Sequence, residues 1–311
     1  MGLVGSANLA AINTAFDTTA NKIFAGGIPG AYQAMTQTIS GLGDSTSIEI
    51  VVADGLPQVR QWTGMKQFFD LRTYKLNSKR VPYEASIALP RIQVDGDKSG
   101  VLGQRVADLP KRAASAYNKI VMAAFVANSA LGYDGSALLA NSHANTAGNA
   151  DNLEAAALTL ALLNTGIKAI ELRTDELGEP LGLYARKLLV GPAQRRLAMQ
   201  LTGSMQPYAM TTGGVEGTST IESSFLIENY TGGEIDVLVD PRLTGNEWLL
   251  FDDSQAGIRP FYLAEFRSPV AIAQTDPSGE ARFQLDEYRW SVEFDIAVFP
   301  GAWQCCHGSV T

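Results

Sequence analysis

The stretch SGVLGQRVADLPKRAASAYNKIVMAAFVANSAL, residues 99–131, decides how the rest of this 311-residue chain is interpreted. Its apolar residues recur at intervals of three, four or seven positions, and that spacing places them on one face of a helix. They are Leu102, Val106, Leu109, Ala113, Tyr117, Ile120, Ala124 and Leu131. The opposite face carries Arg105, Lys111, Arg112, Asn118 and Lys119. At 1.5 Å per residue such a helix is roughly 50 Å long, which predicts a backbone for an extended molecule.

The N-terminal end of this helix has recognisable capping residues. Asp95, Asp97 and Ser99 precede the first apolar position, where helix N-caps and first-turn acids belong. The same residues imitate the start of a calcium-binding loop, but Val106 occupies the twelfth position, which needs a bidentate glutamate. We therefore interpret residues 95–100 as a helix-capping turn.

Pro110 lies inside the predicted helix. A proline there removes a backbone hydrogen bond and clashes with the preceding turn. Two outcomes remain open: one helix with a bend near Asp108–Pro110, or two helical segments with Asp108 capping the second. Gly132 follows the last apolar residue, where a glycine commonly ends a helix.

The composition restricts the class of protein. The formal net charge is −8, with 46% hydrophobic and 18% charged residues, which fits an ordinary folded protein and disfavours a strongly basic nucleic-acid reader. The two cysteines, Cys305 and Cys306, are adjacent and poorly placed to bridge each other, so we expect no disulfide framework and synthesis in a reducing cytoplasm. No uninterrupted apolar run reaches the length of a membrane span, so we expect no membrane contact.

The N-terminal third predicts an arm followed by strands. Residues 1–45 have few apolar anchors besides an amphipathic stretch from Asn8 to Phe24, so we expect an arm that packs on another surface. Residues 46–55 alternate and then run apolar, which indicates a strand. Residues 67–94 predict two further strands around a polar turn near Asn77–Arg80.

The hairpin predicted over residues 67–94 is locally basic in an acidic protein. The basic residues in and beside it are Lys66, Arg72, Lys75, Lys79 and Arg80. Trp62 precedes the hairpin and is a candidate aromatic anchor for its base. Because a two-stranded hairpin has no core of its own, we expect it to lie on another surface, such as a neighbouring copy.

The rest of the chain mixes helices and strands without βαβ alternation, which predicts an α+β fold with antiparallel hairpins. A helix is predicted over 152–171, capped by Asp151. The other predicted elements are a strand at Lys187–Val190, a helix after Pro192, strands at Ile235–Val239 and from Trp248, and three strands within 261–300.

No set of residues supplies an acid, a base and an oriented nucleophile together, so we expect no enzyme. Ser142, His143 and Asp134 outline a hydrolase site, but the chain lacks a G-x-S-x-G elbow and has only two histidines. A loop histidine with local hydrogen bonds is therefore favoured. The run Cys305–His307 lacks two further ligands at zinc spacing, and we expect no metal and no cofactor.

A series of short motifs resembles the Mu-like phage major head subunit family. Around the hairpin and helix they are Arg60-x-Trp62-x-Gly64, Val81-Pro-Tyr-Glu84 with Ile87, Asp97-Lys98-x-Gly100, and Tyr133-Asp134-Gly135 with His143. Further along they are Leu189-Val190-x-Pro192, Val239-Asp240-Pro241-Arg242-Leu243, Trp248-Leu249-Leu250, Arg267 with Pro269, Phe283, Asp286-Glu287 and Trp303-Gln304. The resemblance begins at about Leu56 and continues to the end, and it departs from the family at Leu138-Leu139, where aromatics are usual.

The resemblance implies the Hong Kong 97 type capsid fold in four parts. Residues 1–57 would be an N-terminal arm and residues 58–94 an extended hairpin loop. The peripheral (P) domain would comprise 95–151 and 249–290, with the spine helix at 99–131, and the axial (A) domain 152–248 and 291–311. Subunit-interface candidates are then Trp62, Lys66, Arg72, Lys75, Lys79 and Arg80, and the spine-helix bend is expected at Asp108 and Pro110.

The function implied is that of a major capsid protein of a bacteriophage. Such a protein self-assembles into pentamers and hexamers of an icosahedral head that encloses double-stranded DNA. The implied partners are other copies of the chain, DNA held by weak non-specific contact, and portal, scaffold and decoration proteins. The protein would be made late in infection, in the host bacterial cytoplasm, and would end in the virion. An encapsulin-like nanocompartment shell of the same fold is the alternative.

Overall fold

The computed structural model describes residues 2–28, 30–54, 64–65, 72–97, 99–143, 150–175, 178–203, 234–255, 257–276, 279 and 284–310, with the backbone alone at 2–7, 51–54 and 72–73. The described chain forms two compact units. Unit 1 comprises Met1–Val52, Lys75–Ala124 and Phe261–Phe299. Unit 2 comprises Ala53–Tyr74, Phe125–Pro260 and Pro300–Thr311.

Unit 1 is organised around a four-stranded sheet with strand order β1-β9-β10-β4. These strands are β1 (Thr36–Ile39), β4 (Val81–Pro90), β9 (Phe261–Gln274) and β10 (Glu287–Pro300). The helices are α1 (Gly2–Ala25), α2 (Tyr32–Met35), α3 (Arg91–Gly96), α4 (Val101–Ala107) and α5 (Leu109–Ala127), the last of which continues into unit 2. A separate two-stranded sheet pairs β2 (Ser47–Asp54) with β3 (Arg72–Lys79).

The core of unit 1 lies on one face of β4 and β10. These strands pair antiparallel over ten residues, with Tyr83 opposite Phe294 and Ile87 opposite Trp290. The Phe294 ring lies 5.4 Å from the Tyr83 ring and 4.9 Å from that of Tyr117 on α5. Alternate residues of β10 are therefore buried against the helices, which is the pattern of a sheet with one covered face.

The predicted hairpin of residues 67–94 has the wrong strand pairing. Both strands exist, but β4 pairs with β10, and β3 pairs with β2. The physical reason is the alternating apolar side of β4, which finds a matching buried face on β10 instead of the polar β3. The hairpin that stands apart from the main sheet is therefore β2–β3.

The N-terminal helix α1 packs within its own unit, whereas we expected an arm in need of another surface. Ile12, Phe16 and Ala20 are buried. The Asn13 side chain accepts a hydrogen bond from the indole N–H of Trp290 at 2.9 Å and donates one to Thr275 at 3.0 Å. Helical spacing gave the apolar side correctly, but the residues that cover it are far away in sequence.

The predicted long helix is divided at Asp108 into α4 and α5. Asp108 keeps helical dihedral angles (φ −82°, ψ −12°), accepting from Arg112 N–H at 3.2 Å and donating to Gln104 at 3.0 Å. The helical hydrogen-bond ladder thus continues past Pro110. The helix ends at Ala127, earlier than predicted, because Asn128 has a positive φ of 41° and its amide pairs with both backbone groups of Leu139.

Unit 2 contains a five-stranded sheet with strand order β5-β11-β8-β6-β7. Its strands are β5 (Leu153–Glu154), β6 (Lys187–Val190), β7 (Asp236–Val239), β8 (Trp248–Phe251) and β11 (Cys306–Ser309). Its other elements are α6 (Leu160–Glu171), α7 (Arg195–Thr202) and a short 3₁₀ helix at Trp303–Cys305. The continuous apolar runs of β6 and β8 are buried, as expected for strands covered on both faces.

Two sequence predictions in the C-terminal two thirds are wrong in detail. Strand β6, helix α7 and strand β7 form a parallel βαβ unit, although no such alternation was expected. Helix α6 begins at Leu160 with Thr159 as its N-cap, because residues 153–154 are taken up by β5. Of the three strands predicted within 261–300, the first and last are the long strands β9 and β10, and most of the segment between them lies outside the described residues.

The cap of α4 follows the prediction for the turn at 95–100. One carboxylate oxygen of Asp97 accepts from the backbone N–H groups of Ser99 and Gly100, and the other accepts from Leu102. Desolvation opposes ionisation of this carboxyl, but the hydrogen bonds from Ser99, Leu102 and Gly100 outweigh it and lower the pKa of Asp97.

We expect Asp97→Ala to lower the melting temperature of the protein, because three backbone donors lose their acceptor. Thermal unfolding followed by circular dichroism measures this change. Since the folded-state pKa is lowered, the stabilisation is present above the ordinary value of 3.8 and is lost as the pH falls below it. Asp44→Ala, at an exposed turn, is the matched control; an equal loss in both variants would contradict a capping role.

Candidate functional site

The basic hairpin candidates are partly neutralised within the chain. On β3, the Lys75 ammonium lies 2.6 Å from the Glu49 carboxylate on β2, and both side chains are largely exposed. The hydrogen bond to Glu49 raises the pKa of Lys75. Lys79 is exposed at the end of the same strand. The β2–β3 hairpin therefore has two exposed lysines, of which Lys75 is paired with Glu49 within the hairpin.

Arg80 anchors the end of this hairpin to the main sheet of unit 1. Its backbone N–H donates to Thr46 at 3.0 Å, and its guanidinium donates to the Asp295 carboxylate through Nε at 2.8 Å and through Nη2. Asp295 lies on β10 with 3% of its side chain exposed, and Nε of Arg267 is 3.5 Å away. Removing one partner of such a buried pair leaves an uncompensated charge, so Arg80 has a structural role within the chain.

The structure does not describe the side chains of the remaining interface candidates, Arg72, Trp62 and Lys66. Arg72 is the first residue of β3, and the structure describes only its backbone. Trp62 and Lys66 lie outside the described residues. Their role at a subunit interface stays a prediction, as it does for Lys75, Lys79 and Arg80.

The two residues expected to bend the spine helix lie at the division between α4 and α5. Asp108 accepts a hydrogen bond from the Lys111 ammonium at 2.6 Å, which lowers the pKa of the Asp108 carboxyl. Pro110 is buried in the first turn of α5 and supplies no N–H to the ladder, whereas the bonds from Asp108 to Gln104 and from Arg112 to Asp108 are kept on either side of it. A bend that is used in assembly stays a prediction.

A buried polar cluster in unit 2 surrounds His143. The ring is fully buried, with Nδ1 2.6 Å from the Asp134 carboxylate and Nε2 3.0 Å from Oδ1 of Asn152. It stacks on the indole of Trp303, with 4.3 Å between ring centroids and 4° between planes. The Arg173 guanidinium lies 5.0 Å from the centroid of the same indole. The cluster thus joins a loop histidine to the C-terminal end of the chain.

Asn152 holds the surrounding loops together at this cluster. Its Oδ1 also accepts from Ala140 N–H at 2.8 Å, and its Nδ2 donates to the carbonyls of Leu138 and Trp303. This network fixes the orientation of the amide, so both ring nitrogens of His143 face oxygen acceptors. Neither nitrogen is free to serve as a general base, which argues against the hydrolase hypothesis.

The prediction that His143 makes local hydrogen bonds is correct. Sequence reasoning missed Asn152 and Arg173, and it named Trp303 only as part of a motif, without connecting it to His143. These residues have no motif spacing relative to His143, because the contacts arise where the loop at 131–143 meets the end of the chain. Among the described residues, no group of three or more His, Cys, Asp or Glu side chains could hold a metal ion. No helix in the described part of the chain is long and apolar enough to cross a membrane.

The other histidine, His307 on β11, is also buried. Its Nε2 lies 3.1 Å from Glu154 on β5, whereas Nδ1 is buried with no hydrogen-bond partner among the described groups. Gly166 on α6 packs against the ring, since a Cβ added there would lie 3.0 Å from it. Burial lowers the pKa of His307, although Glu154 acts in the opposite direction.

Comparison with known proteins identifies the family. Residues 82–307, most of the chain, match a family model described as phage capsid protein. The chain therefore belongs to the phage capsid protein family. The comparison with curated proteins finds no match.

Solved phage structures share the fold. The asymmetric unit of the bacteriophage PhiM1 mature capsid aligns with a TM-score of 0.56 and 11% identity, over 90% of this chain and 86% of that chain. A structure from Microbacterium phage Oxtober96 gives 0.54 and 14%, over 90% and 86%. The procapsid of bacteriophage JBD30 gives 0.53 and 18%, over 97% and 75%. These likenesses confirm the expected α+β, Hong Kong 97 type capsid fold.

The lengths of the matched chains differ from this one. This chain covers 64% of the chain in the bacteriophage JBD30 capsid, with 12% identity and a TM-score of 0.51. At such identities the likeness concerns the fold alone.

We expect the free energy of unfolding to fall as the pH drops below 6.5. Because the folded-state pKa of His307 is lowered from 6.5, the unfolded chain takes up the proton more readily, so acid favours unfolding. Denaturant titrations on both sides of that pH measure the effect. In the control, His307→Gln, the fall should be smaller; identical pH dependence in both proteins would contradict the role of His307.

Proposed function

We propose that this phage capsid protein is the major head subunit, which assembles into pentamers and hexamers of a closed icosahedral shell around double-stranded DNA. The observation that carries the proposal is the family match over residues 82–307, which includes the spine helices and most strands of the four-stranded and five-stranded sheets. Within the family we place the chain among the Mu-like head subunits, on the motifs from Arg60 to Gln304. The family match also favours a phage head over an encapsulin-like nanocompartment.

The four-part division of the capsid fold belongs to this proposal. It assigns an N-terminal arm (1–57), an extended hairpin loop (58–94), a peripheral domain (95–151 and 249–290) and an axial domain (152–248 and 291–311). The division describes roles in a shell, whereas units 1 and 2 are defined by packing within one chain. The pairing of β3, in the second part, with β2, at the end of the first part, supports a hairpin in this region, while β4 joins the four-stranded sheet.

A shell that encloses DNA implies the partners of this chain. Copies of the chain contact one another, DNA is enclosed by weak contact, and portal, scaffold and decoration proteins complete the head. The net charge of −8 supports weak DNA contact, because a strongly basic interior would hold phosphates tightly and hinder packing and ejection. Assembly takes place in the host bacterial cytoplasm, and the product is the virion capsid.

The proposal is tested by electron microscopy of the purified protein. We expect closed shells of uniform diameter with icosahedral symmetry. A protein that stays monomeric across salt, pH and concentration, with and without the other head proteins, would overturn the assignment. A filled nanocompartment with an enclosed enzyme would favour the alternative.

We expect Lys75→Glu with Lys79→Glu to raise several-fold the protein concentration needed for assembly, because the β2–β3 hairpin loses its positive charge at a neighbouring copy. Light scattering during assembly measures this. Adding Glu49→Lys restores an opposite-charge pair across β2 and β3, and therefore separates hairpin folding from the contact between copies. Lys168→Glu with Arg186→Glu, both exposed in unit 2, matches the change in net charge. Normal assembly of the hairpin variant would remove these lysines from the interface.

We expect Pro110→Ala to allow a precursor shell to form but to slow its expansion, because a continuous ladder stiffens the helix where α4 meets α5. Time-resolved light scattering during maturation measures the rate. If Pro110 only fills the first turn of α5, expansion is unchanged and stability shifts by about 1 kcal/mol or less.

A further inference from the structure

The exposed side of helices α4 and α5 is basic although the chain as a whole is acidic. Arg105, Arg112 and Lys119 are exposed and follow one another at intervals of seven residues. Lys111 is also exposed and pairs with Asp108, the one acidic residue between the start of α4 and the end of α5. We call Arg105, Lys111, Arg112 and Lys119 the basic row.

The geometry of the helices aligns these cations. Seven residues advance a helix by about 10 Å and leave the side chain only about 20° from its starting direction. The helical ladder continues through Asp108, which accepts from Arg112 N–H and donates to Gln104. Arg105, Arg112 and Lys119 therefore lie along one side of the helix over about 20 Å.

We propose that the basic row is the surface that contacts the phosphate backbone of the packaged double-stranded DNA. This inference rests on the proposed function as a head subunit. Duplex DNA carries one negative charge per 1.7 Å or so of its axis, so about 20 Å of duplex presents about twelve phosphates. Four cations, one of them shared with Asp108, neutralise only part of that charge. The contact is therefore weak, independent of base sequence and easily released.

A cavity beside the basic row suggests an alternative ligand, an acidic protein segment in place of DNA. It has a volume of about 770 Å³ between α1 and α5, and Ile23 and Ala114 are among its apolar lining residues, with Lys22 and Lys111 beside them. An acidic protein segment with an apolar anchor would bind there. However, Lys111 is the only member of the basic row that lines the cavity. The cavity does not account for the three cations at seven-residue intervals, and their linear arrangement favours a linear polyanion.

The test measures binding of a fluorescein-labelled DNA duplex to the unassembled full-length protein by fluorescence anisotropy. The variant replaces the basic row with glutamine at all four positions (Arg105→Gln, Lys111→Gln, Arg112→Gln, Lys119→Gln). Glutamine is a good helix former, and thermal unfolding checks that the fold is kept. The matched control changes four exposed cations of unit 2 instead: Lys168→Gln, Arg186→Gln, Arg195→Gln and Arg196→Gln.

We expect the basic-row variant to bind DNA about tenfold more weakly or worse, and the control to bind like the wild type. For three to four phosphate contacts, raising the salt from about 50 to about 200 mM weakens wild-type binding roughly 40- to 150-fold. Equal losses in the variant and the control would reduce the effect to net charge and overturn the proposal. So would the absence of wild-type binding at the lower salt concentration.

Two further measurements distinguish DNA binding from binding of an acidic protein segment, and distinguish the DNA surface from the head-subunit function. Thr18→Trp fills the cavity without changing charge, and we expect it to leave DNA binding unchanged. Binding of polyglutamate as tight as that of DNA, abolished by Thr18→Trp, would assign the surface to an acidic protein and overturn the proposal. Shell formation is scored separately by electron microscopy: a wild type that binds DNA through the basic row but forms no shells contradicts the head-subunit function and not the DNA surface.

Discussion

The pairing of β4 with β10 is the constraint on which the rest of unit 1 depends. It joins residues 81–90 to residues 287–296 over ten consecutive pairs, so it brings together segments about two hundred positions apart. The face it creates buries Phe294 between Tyr83 and Tyr117 and gives α5 its packing surface. Trp290, on the same face, donates to Asn13 and holds α1. Both main helices of the unit are therefore positioned by side chains of one strand pair.

In unit 2, distant segments are held together by polar side chains instead of by a strand pair. The Asn152 side chain forms hydrogen bonds with two separate segments, the loop at 131–143 and the turn at Trp303, and His143 connects it to Asp134. Buried polar groups are expensive unless each has a partner, so such a network tolerates few alternative loop arrangements. The stack of His143 on Trp303 adds an apolar contact to the same point. The loop after α5 and the last strand of the chain are thereby fixed relative to each other inside this unit.

The elements that could be predicted from the sequence are those with a local signal. Helical spacing located α1 and most of α4 and α5, and apolar runs located β6 and β8. Pairing partners have no local signal: the strand at 81–90 was found, but its choice of β10 over β3 depends on which distant face matches its alternation. The start of α6 was missed because β5 competes for residues 153–154 through pairing with β11. In the candidate site, Asp134 and His143 were visible as a loop pair, whereas no sequence signal connected Asn152 or Trp303 to that pair.

Some charged side chains of the chain stabilise the fold, whereas others are exposed and contribute little to its stability. Asp295 is buried beside Arg80 and Arg267, so replacing Asp295 removes the carboxylate that holds the partly buried Arg80 guanidinium against β10. The exposed pair of Lys75 with Glu49 contributes little to stability, as is usual for surface ion pairs. The cations on α4 and α5 lie on the exposed side of helices whose apolar side is already packed. Substitution at these exposed positions can therefore change what the surface contacts without unfolding the chain.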